Sequence, residues 1–220
     1  MAPISRPRAI IFDWDNTLVD SWSTIHDANN AALVAMGQQP WTRAQSETRI
    51  RKSLREAYLE LFGDRWQEAR DVYYTHVRAN HLNELLVLEG RAGMLGTIND
   101  AGIYMSVVSN KDGELLRTEV AHLGWTSFFG AVVGANDAAR AKPAPEPIHL
   151  SLEPGNIVAG RDVWFVGDTD IDMECAIAGG VVPVLLREKP VETGEFDEFS
   201  PELLFPNSEK FCAFLDLTGN

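Results

Sequence analysis

The sequence predicts an α/β fold, a Rossmann-like parallel sheet core with an all-helical domain inserted after the first strand. Short β-rich apolar runs recur at 8–12, 103–108, 131–134, 162–166 and 181–186, each of strand length and composition. From the second run onward they alternate with helix-like stretches that end in glycine, the rhythm of βαβ units whose sheet is covered on both faces. Between the first and second runs about 90 residues intervene, far beyond an ordinary connection.

The first run ends at Phe12 and passes directly into acids. The long intervening segment reads as helical: Trp22, Ile25, Ala28, Ala32, Leu33 and Met36 repeat at helical spacing before Gly37. Thr42 with Gln45, Ser53 with Glu56, and Asp64 with Gln67 have the spacing of a capping box or a near variant. The expected organisation is therefore a core domain from 1–19 and 86–220, interrupted by a helical domain at 20–85. After the second run, Asp112 can cap a helix whose Leu115, Leu116, Val120 and Leu123 share one side, with Gly124 as its stop. Beyond Pro190 seven acids face one lysine, yet Phe196, Phe199, Phe205, Phe211 and Phe214 are interspersed. Those aromatics argue for packing against the core.

Length and composition agree with this organisation. At 220 residues the chain exceeds one usual domain and falls short of two, and 45% hydrophobic residues with six Trp can fill an interior. The balance of 19 basic and 32 acidic residues gives −13, so nucleic acid is not an expected partner. The longest apolar stretch, 176–186, contains two Gly and a Pro, too short and broken to span a membrane. The N-terminal apolar run of four residues stops at Asp13, too short for a signal peptide, and a cytoplasmic location is expected. Cys175 and Cys212 match no metal spacing and read as core thiols. Oligomeric state is not legible.

In an open parallel sheet, ligands bind beyond the carboxyl ends of the strands. The first strand runs into Asp13-Trp14-Asp15-Asn16-Thr17, the second into Ser109-Asn110-Lys111, and the fourth into Gly167-Asp168-Thr169-Asp170-Ile171-Asp172. Lys142 precedes the fourth in Ala141-Lys142-Pro143. A lone Asp after a strand is often only a helix cap; three strand ends with matching chemistry point to a site. Asp13, Asp15, Asp168 and Asp172 beside one lysine leave −3, and each like-charge pair at ~4 Å costs about 4 kcal/mol at an effective dielectric near 20. Such a cluster calls for a divalent cation, and hard oxygen ligands with open positions suit Mg²⁺. A phosphate substrate would supply the remaining ligands.

The strings IIFDWDNTLVDSW, VVSNK, AKPAPEP and VWFVGDTDIDMECAIAGG resemble, in order, the four signature motifs of the haloacid dehalogenase superfamily. The resemblance covers nearly the whole core and implies that superfamily's fold, with a helical cap inserted after the first motif. It implies Asp13 as the nucleophile that becomes a transient aspartyl-phosphate, and Asp15 as the acid for the leaving alcohol and then the base for water. Ser109 and the Asn110 backbone N–H would hold phosphoryl oxygens, and Lys142 would offset charge on Asp13 and the phosphate. Mg²⁺ would sit on Asp13, the Asp15 carbonyl and Asp168, with Asp172 orienting coordinated water or Lys142. Asp170 falls at a variable position. Asn16 stands where the family usually has Gly, and Asn tolerates a left-handed turn. Trp14 stands where a smaller apolar residue is common, and its ring must find room elsewhere.

Asp15 argues against halide release, which needs no acid, and favours hydrolysis of a small phosphomonoester. The DNTLVDSW string most resembles the phosphoglycolate phosphatase-like branch, then the beta-phosphoglucomutase-like branch, whose hinge histidine would fall at Ile25. His26, about 100° further round the helix, reads as an ordinary helix residue. A phospho-accepting signalling module would be half this length and uncapped, and a silent binding module would not need every polar group present. In the cap, Arg43, Arg49, Arg51, Lys52 and Arg55 face only Glu47 between 41 and 55. Arg49, Arg51 and Arg55 are candidates for a second anionic group on the substrate, and a solvated face is the alternative. A cap hinged at 19–22 and 85–90 would close over the substrate and exclude water.

Overall fold

The computed structural model describes residues 6–49 and 54–215. The chain divides into two compact units, Met1–Val19 with Val87–Asn220, and Asp20–Leu86.

The first unit is built on β1 (Ala9–Phe12), β4 (Tyr104–Val108), β5 (Ala131–Val133), β6 (Val163–Gly167), β7 (Val182–Leu186) and β8 (Leu203–Phe205). They form one six-stranded sheet in the order β5-β4-β1-β6-β7-β8, with every pair parallel. β1 sits centrally and all four of its residues are buried, which explains why it reads as an unbroken apolar run rather than an alternation. Its residues nonetheless divide by face. Ala9 and Ile11, with their neighbours Val163 and Phe165 on β6, pack with Ile148 and Leu152 of α7 (Glu146–Leu152). On the opposite face Phe12 and Trp164 meet Phe211 of α9 (Ser208–Phe214), ring centroids 6.5 and 6.2 Å apart, as the two-residue period of a strand requires. The remaining helices of this unit are α5 (Arg91–Asp100), α6 (Gly113–His122) and α8 (Asp170–Ala178).

β8 and α9 were not expected as elements, although the aromatics of the acidic tail were expected to pack. Phe205 and Phe211 are buried, and Phe196 is buried against Met173 and Leu185. Phe214 is half exposed while its ring still meets Trp164. Arg187, directly after β7, ties this tail down: its guanidinium donates to both Glu195 carboxylate oxygens at 2.8 and 2.6 Å and to the Asp168 carbonyl at 3.0 Å. Hydrogen bonding to Arg187 holds the Glu195 carboxyl down at about 2 against the ordinary 4.5. A lowered carboxylate stabilises the fold fully above its unfolded value and progressively less as pH falls from about 4.5 toward 2. Glu195→Gln is therefore expected to cost about 1–2 kcal/mol at pH 7, less than the full shift because water still reaches the pair. Urea melts at pH 7 and pH 2.5 check this; the gap between variant and wild type should shrink at the lower pH.

The second unit holds α1 (Trp22–Ala35), α2 (Arg43–Arg49), α3 (Leu54–Phe62) and α4 (Trp66–Asn80). Ala28, Ala32 and Leu33 of α1 are buried, and Ala32 joins Tyr58 and Ala69 in a small core of this unit. The Thr42 and Gln45 box forms, each side chain accepting the other's backbone N–H at 3.3 and 2.9 Å. The Asp64 box does not: a 3₁₀ turn at Gly63–Arg65 leads into α4, whose cap position, Arg65, makes no side-chain capping bond. Ser53 lies outside the described residues. Two-residue strands β2 (Val19–Asp20) and β3 (Leu86–Val87) pair as a separate sheet. No helix among the described residues is long and apolar enough to cross a membrane.

Candidate active site

Four residues that follow or precede strands in the sequence meet at the carboxyl ends of β1 and β6. Asp13 extends the β1 ladder by one rung, its N–H donating to the Val166 carbonyl at 2.8 Å, so its carboxylate stands at the strand's end. After it the chain turns back: the Thr17 and Leu18 N–H groups donate to the Trp14 carbonyl, and Asn16 adopts φ 61°. Asparagine does here what glycine does in the resembling motif.

On the neighbouring strand β6, Asp168 follows Gly167 and Asp172 lies one turn into α8. The nearest carboxylate oxygens of Asp13, Asp168 and Asp172 all lie within 4.8 Å of one another. Asp168 as a residue keeps partial exposure while its carboxylate is enclosed. Lys142 bridges the group, donating to Asp13 Oδ1 at 2.6 Å and Asp172 Oδ1 at 2.7 Å. Three acids against one ammonium leave a buried net charge of −2, and the acids respond. Burial pushes Asp13 up to about 7, with Lys142 working against the rise and Asp172 and Asp15 adding to it. Burial likewise lifts Asp168 well above its usual range, helped by Asp172 and Asp13 and opposed by Lys142 and by a Thr17 hydroxyl 3.2 Å away. Lys142 is held above its ordinary range: burial opposes this, but Asp13 and Asp172 outweigh burial. A concentration of hard, desolvated oxygens with this excess charge suits a divalent cation.

Asp172 is the most constrained of the three. Its Oδ2 accepts from the Asp168 and Thr169 N–H groups at 3.2 and 3.1 Å and from the Thr169 hydroxyl at 2.8 Å, while Oδ1 takes Lys142. With both oxygens engaged, Asp172 fits an orienting place behind Lys142 better than direct coordination. Gly167 makes room for it, since a Cβ there would fall 2.4 Å from the Asp172 side chain. Gly167→Ala is expected to cost about 1–3 kcal/mol, the range for overpacking a tight site, and to depress turnover by displacing Asp172 from Lys142. A thermal melt and a turnover assay on the same preparation check both effects.

Ser109 and Asn110 follow β4. Ser109 is buried, its N–H donates to the Val133 carbonyl at 3.0 Å and its Oγ accepts from the Lys111 N–H at 3.2 Å. Asn110 Nδ2 donates to the Lys142 carbonyl at 3.1 Å, fixing the segment that carries the lysine, and its buried Oδ1 has no partner among the described residues.

Asp15 does not join the carboxylate trio. Its Oδ1 accepts from Lys111 Nζ at 2.7 Å, and the same ammonium donates to Glu119 Oε2 at 2.7 Å. Glu119 Oε2 also accepts from the Trp14 indole N–H at 2.6 Å. Burial opposes the charge on Lys111, but Asp15 and Glu119 outweigh it and hold the ammonium above its ordinary range. The Trp14 ring finds its room against Trp125, edge-on at 5.9 Å. The sequence places Lys111 at the end of the second strand without giving it a role, and Glu119 was missed. The available signal was Glu119 itself, an acid placed within the apolar stripe of Leu115, Leu116 and Val120 on α6.

The proposed substrate-binding arginines belong to the second unit. Arg49 and Arg55 are exposed and lie over indole rings, Arg49 4.9 Å from the Trp41 centroid and Arg55 5.7 Å from that of Trp66. Arg51 lies outside the described residues. His26 Nδ1 is 2.7 Å from the Ser46 hydroxyl and its Nε2 3.2 Å from Asn30 Nδ2, an arrangement internal to this unit.

Known proteins give the same chemistry a context. A phosphoglycolate phosphatase of Xylella fastidiosa is 31% identical over 80% of this chain and 78% of its own. Another, of Pectobacterium atrosepticum, is 29% identical over 100% of this chain and 96% of its own. Among solved structures, a haloacid dehalogenase-superfamily hydrolase of Ehrlichia chaffeensis superimposes with a TM-score of 0.68 at 28% identity, covering 99% of this chain and 100% of that one. Residues 10–185, from within β1 to within β7, match the haloacid dehalogenase-like hydrolase family. With the match spanning every strand end that builds the site, this chain belongs to that family.

Proposed function

We propose that this chain is a Mg²⁺-dependent phosphatase that hydrolyses a small phosphomonoester through an aspartyl-phosphate on Asp13, with phosphoglycolate as the leading substrate. One observation carries the reading: Lys142 joins Asp13 to Asp172 beside Asp168, while Asp15, two residues from Asp13, is held apart on Lys111. This separation supports a reading in which one carboxylate works with the cation ligands and the other transfers the proton.

The Asp13 carboxylate attacks phosphorus, the P–O bond to the alcohol breaks, and Asp15 protonates the departing oxygen. Asp15, now a carboxylate, takes a proton from water, which attacks the phosphorus and releases phosphate and Asp13. Ser109 and the Asn110 N–H hold phosphoryl oxygens, and the Lys142 charge offsets that of Asp13 and the phosphoryl group. Asp13, Asp168 and the Asp15 carbonyl would hold Mg²⁺, with Asp172 orienting Lys142. The ion, when bound, supplies positive charge that allows an anionic ester to approach these acids. The names of the curated relatives support phosphoglycolate. The engagement of His26 by Ser46 and Asn30 supports hydrolysis over the mutase-like transfer.

Phosphate release from phosphoglycolate, pyrophosphate, hexose phosphates and neutral-tailed esters, with Mg²⁺ and with excess chelator, tests the proposal. Metal-dependent release strongest for phosphoglycolate is expected. Release unaffected by chelator, or absent for every ester, would overturn it. The same panel tests the arginines: Arg49→Ala, Arg51→Ala or Arg55→Ala should raise KM for esters bearing a second anion and leave it unchanged for neutral-tailed ones.

A further inference from the structure

We propose that Lys111 and Glu119 are positioning residues for Asp15, forming a buried brace that fixes the carboxylate on which proton transfer depends. The inference rests on the phosphatase reading of Asp15 given above.

Glu119 is fully buried on the apolar face of α6, beside Leu115, Leu116 and Val120. An unpaired carboxylate there would be prohibitively costly, and two donors converge on its Oε2, the Trp14 indole N–H at 2.6 Å and Lys111 Nζ at 2.7 Å. Lys111 then reaches Asp15 Oδ1 at 2.7 Å. Trp14 and Asp15 are consecutive, so the contacts close a ring: Asp15 to Lys111, Lys111 to Glu119, Glu119 to Trp14, and the peptide link back to Asp15. The side chains of Lys111 and Glu119 are 10% and 0% exposed, and that of Asp15 is 18% exposed. The brace is therefore enclosed at its base and becomes more exposed toward the carboxylate it holds.

A buried ion pair is poor evidence of stabilisation, because an apolar pair of similar volume often serves the fold as well or better. Trp14 alone would give Glu119 a hydrogen bond. What the fold does not require is an ammonium spanning from that carboxylate to Asp15. Proton transfer does require that Asp15 be held in place, and the ammonium does that, since the acid must lie roughly 2.6–3.2 Å from the ester oxygen and a misplacement of about 1 Å costs on the order of 10²-fold. The brace also accounts for tryptophan at position 14: its ring anchors the loop against Trp125 and its N–H anchors Glu119.

Two esters separate positioning from a structural role. kcat/KM reports steps up to departure of the alcohol; an alkyl phosphate needs a proton at that step, whereas p-nitrophenyl phosphate releases a stable phenolate. Lys111→Met is expected to lower kcat/KM for an alkyl phosphate about 30-fold and for the aryl ester less than about threefold. In an Asp15→Asn background, itself alkyl-selective, Lys111→Met should leave the alkyl-to-aryl ratio unchanged. Should Lys111→Met not fold, Lys111→Met with Glu119→Gln removes both charges while Gln still accepts the Trp14 N–H, and the same selective loss is expected. Equal loss on both esters, with Asp15→Asn still selective, would overturn the brace and leave the phosphatase reading standing. An Asp15→Asn variant without alkyl selectivity would overturn the assignment of Asp15, and the brace with it.

Discussion

Asp13→Asn is expected to reduce turnover below about one per cent of wild type, a rise of at least ~2.7 kcal/mol in the barrier, while keeping the fold and its thermal midpoint. The substitution removes the nucleophile's charge at nearly constant volume, and the amide oxygen can still accept from Lys142, which retains Asp172 at 2.7 Å. Stability should not fall because the charge being removed is a burden when no cation is bound. Asp13 is crowded by Asp168 and Asp172 within 4.8 Å, and each like-charge contact at such range costs about 4 kcal/mol at an effective dielectric near 20. Activity and stability should therefore separate, as they do where a site is built for chemistry at the fold's expense. In chelator the variant should melt at or above the wild-type temperature, and in Mg²⁺ it should gain less than wild type does. Turnover above one per cent would remove Asp13 from its role; a steep fall in the melting temperature would mark it as a structural acid instead.

The parts of the fold legible in the sequence were those that depend on local pattern. The five apolar runs lie in the sheet because strands covered on both faces need no polar alternation, and Asp112 does cap α6, accepting from the Glu114 and Leu115 N–H groups. The sixth strand was illegible: Leu203–Phe205 is three residues long, at the sheet edge, between Glu202 and Pro206, and its place is fixed by pairing with β7 rather than by any period of its own. The Asp64 box failed because spacing licenses a cap only if the helix begins there, and the chain uses a 3₁₀ turn before starting α4 at Trp66.

The candidate site divides in the same way. That Asp13, Asp168 and Asp172 meet could be anticipated, since each follows the carboxyl end of a strand in one parallel sheet and such ends converge by construction, whereas Lys142 lies in the connection between β5 and β6 and its motif marked it. The brace on Asp15 could not, because its other arm, Glu119, is on α6, and which face that helix turns inward is not written in the strand-end pattern. Likewise, the basic residues at 41–55 showed their charge in the sequence but not that Arg43, Arg49 and Arg55 each lie over an indole ring. Stacking of that kind depends on side-chain direction, which neither charge nor helical period specifies.

Replacing Lys142 should have the opposite signature to replacing Asp13, and the contrast tests the electrostatic account of the whole cluster. Lys142→Met removes the ammonium that lies 2.6 Å from Asp13 and 2.7 Å from Asp172, stranding buried carboxylates without their partner. Breaking one side of a buried pair typically costs about 3–5 kcal/mol, which for a chain of this size is roughly 10 °C in melting temperature. Turnover should fall by about 10²-fold or more, because the charge offered to the phosphoryl group in the transition state is lost. Yet the acids left behind form a more negative site, so Mg²⁺ should bind at least about tenfold more tightly and restore much of the lost stability. Calorimetric titration with Mg²⁺, and melts with and without the metal, read both effects. Weaker Mg²⁺ binding in Lys142→Met would mean that the lysine serves to hold the carboxylates in register, and that its charge is not what balances theirs.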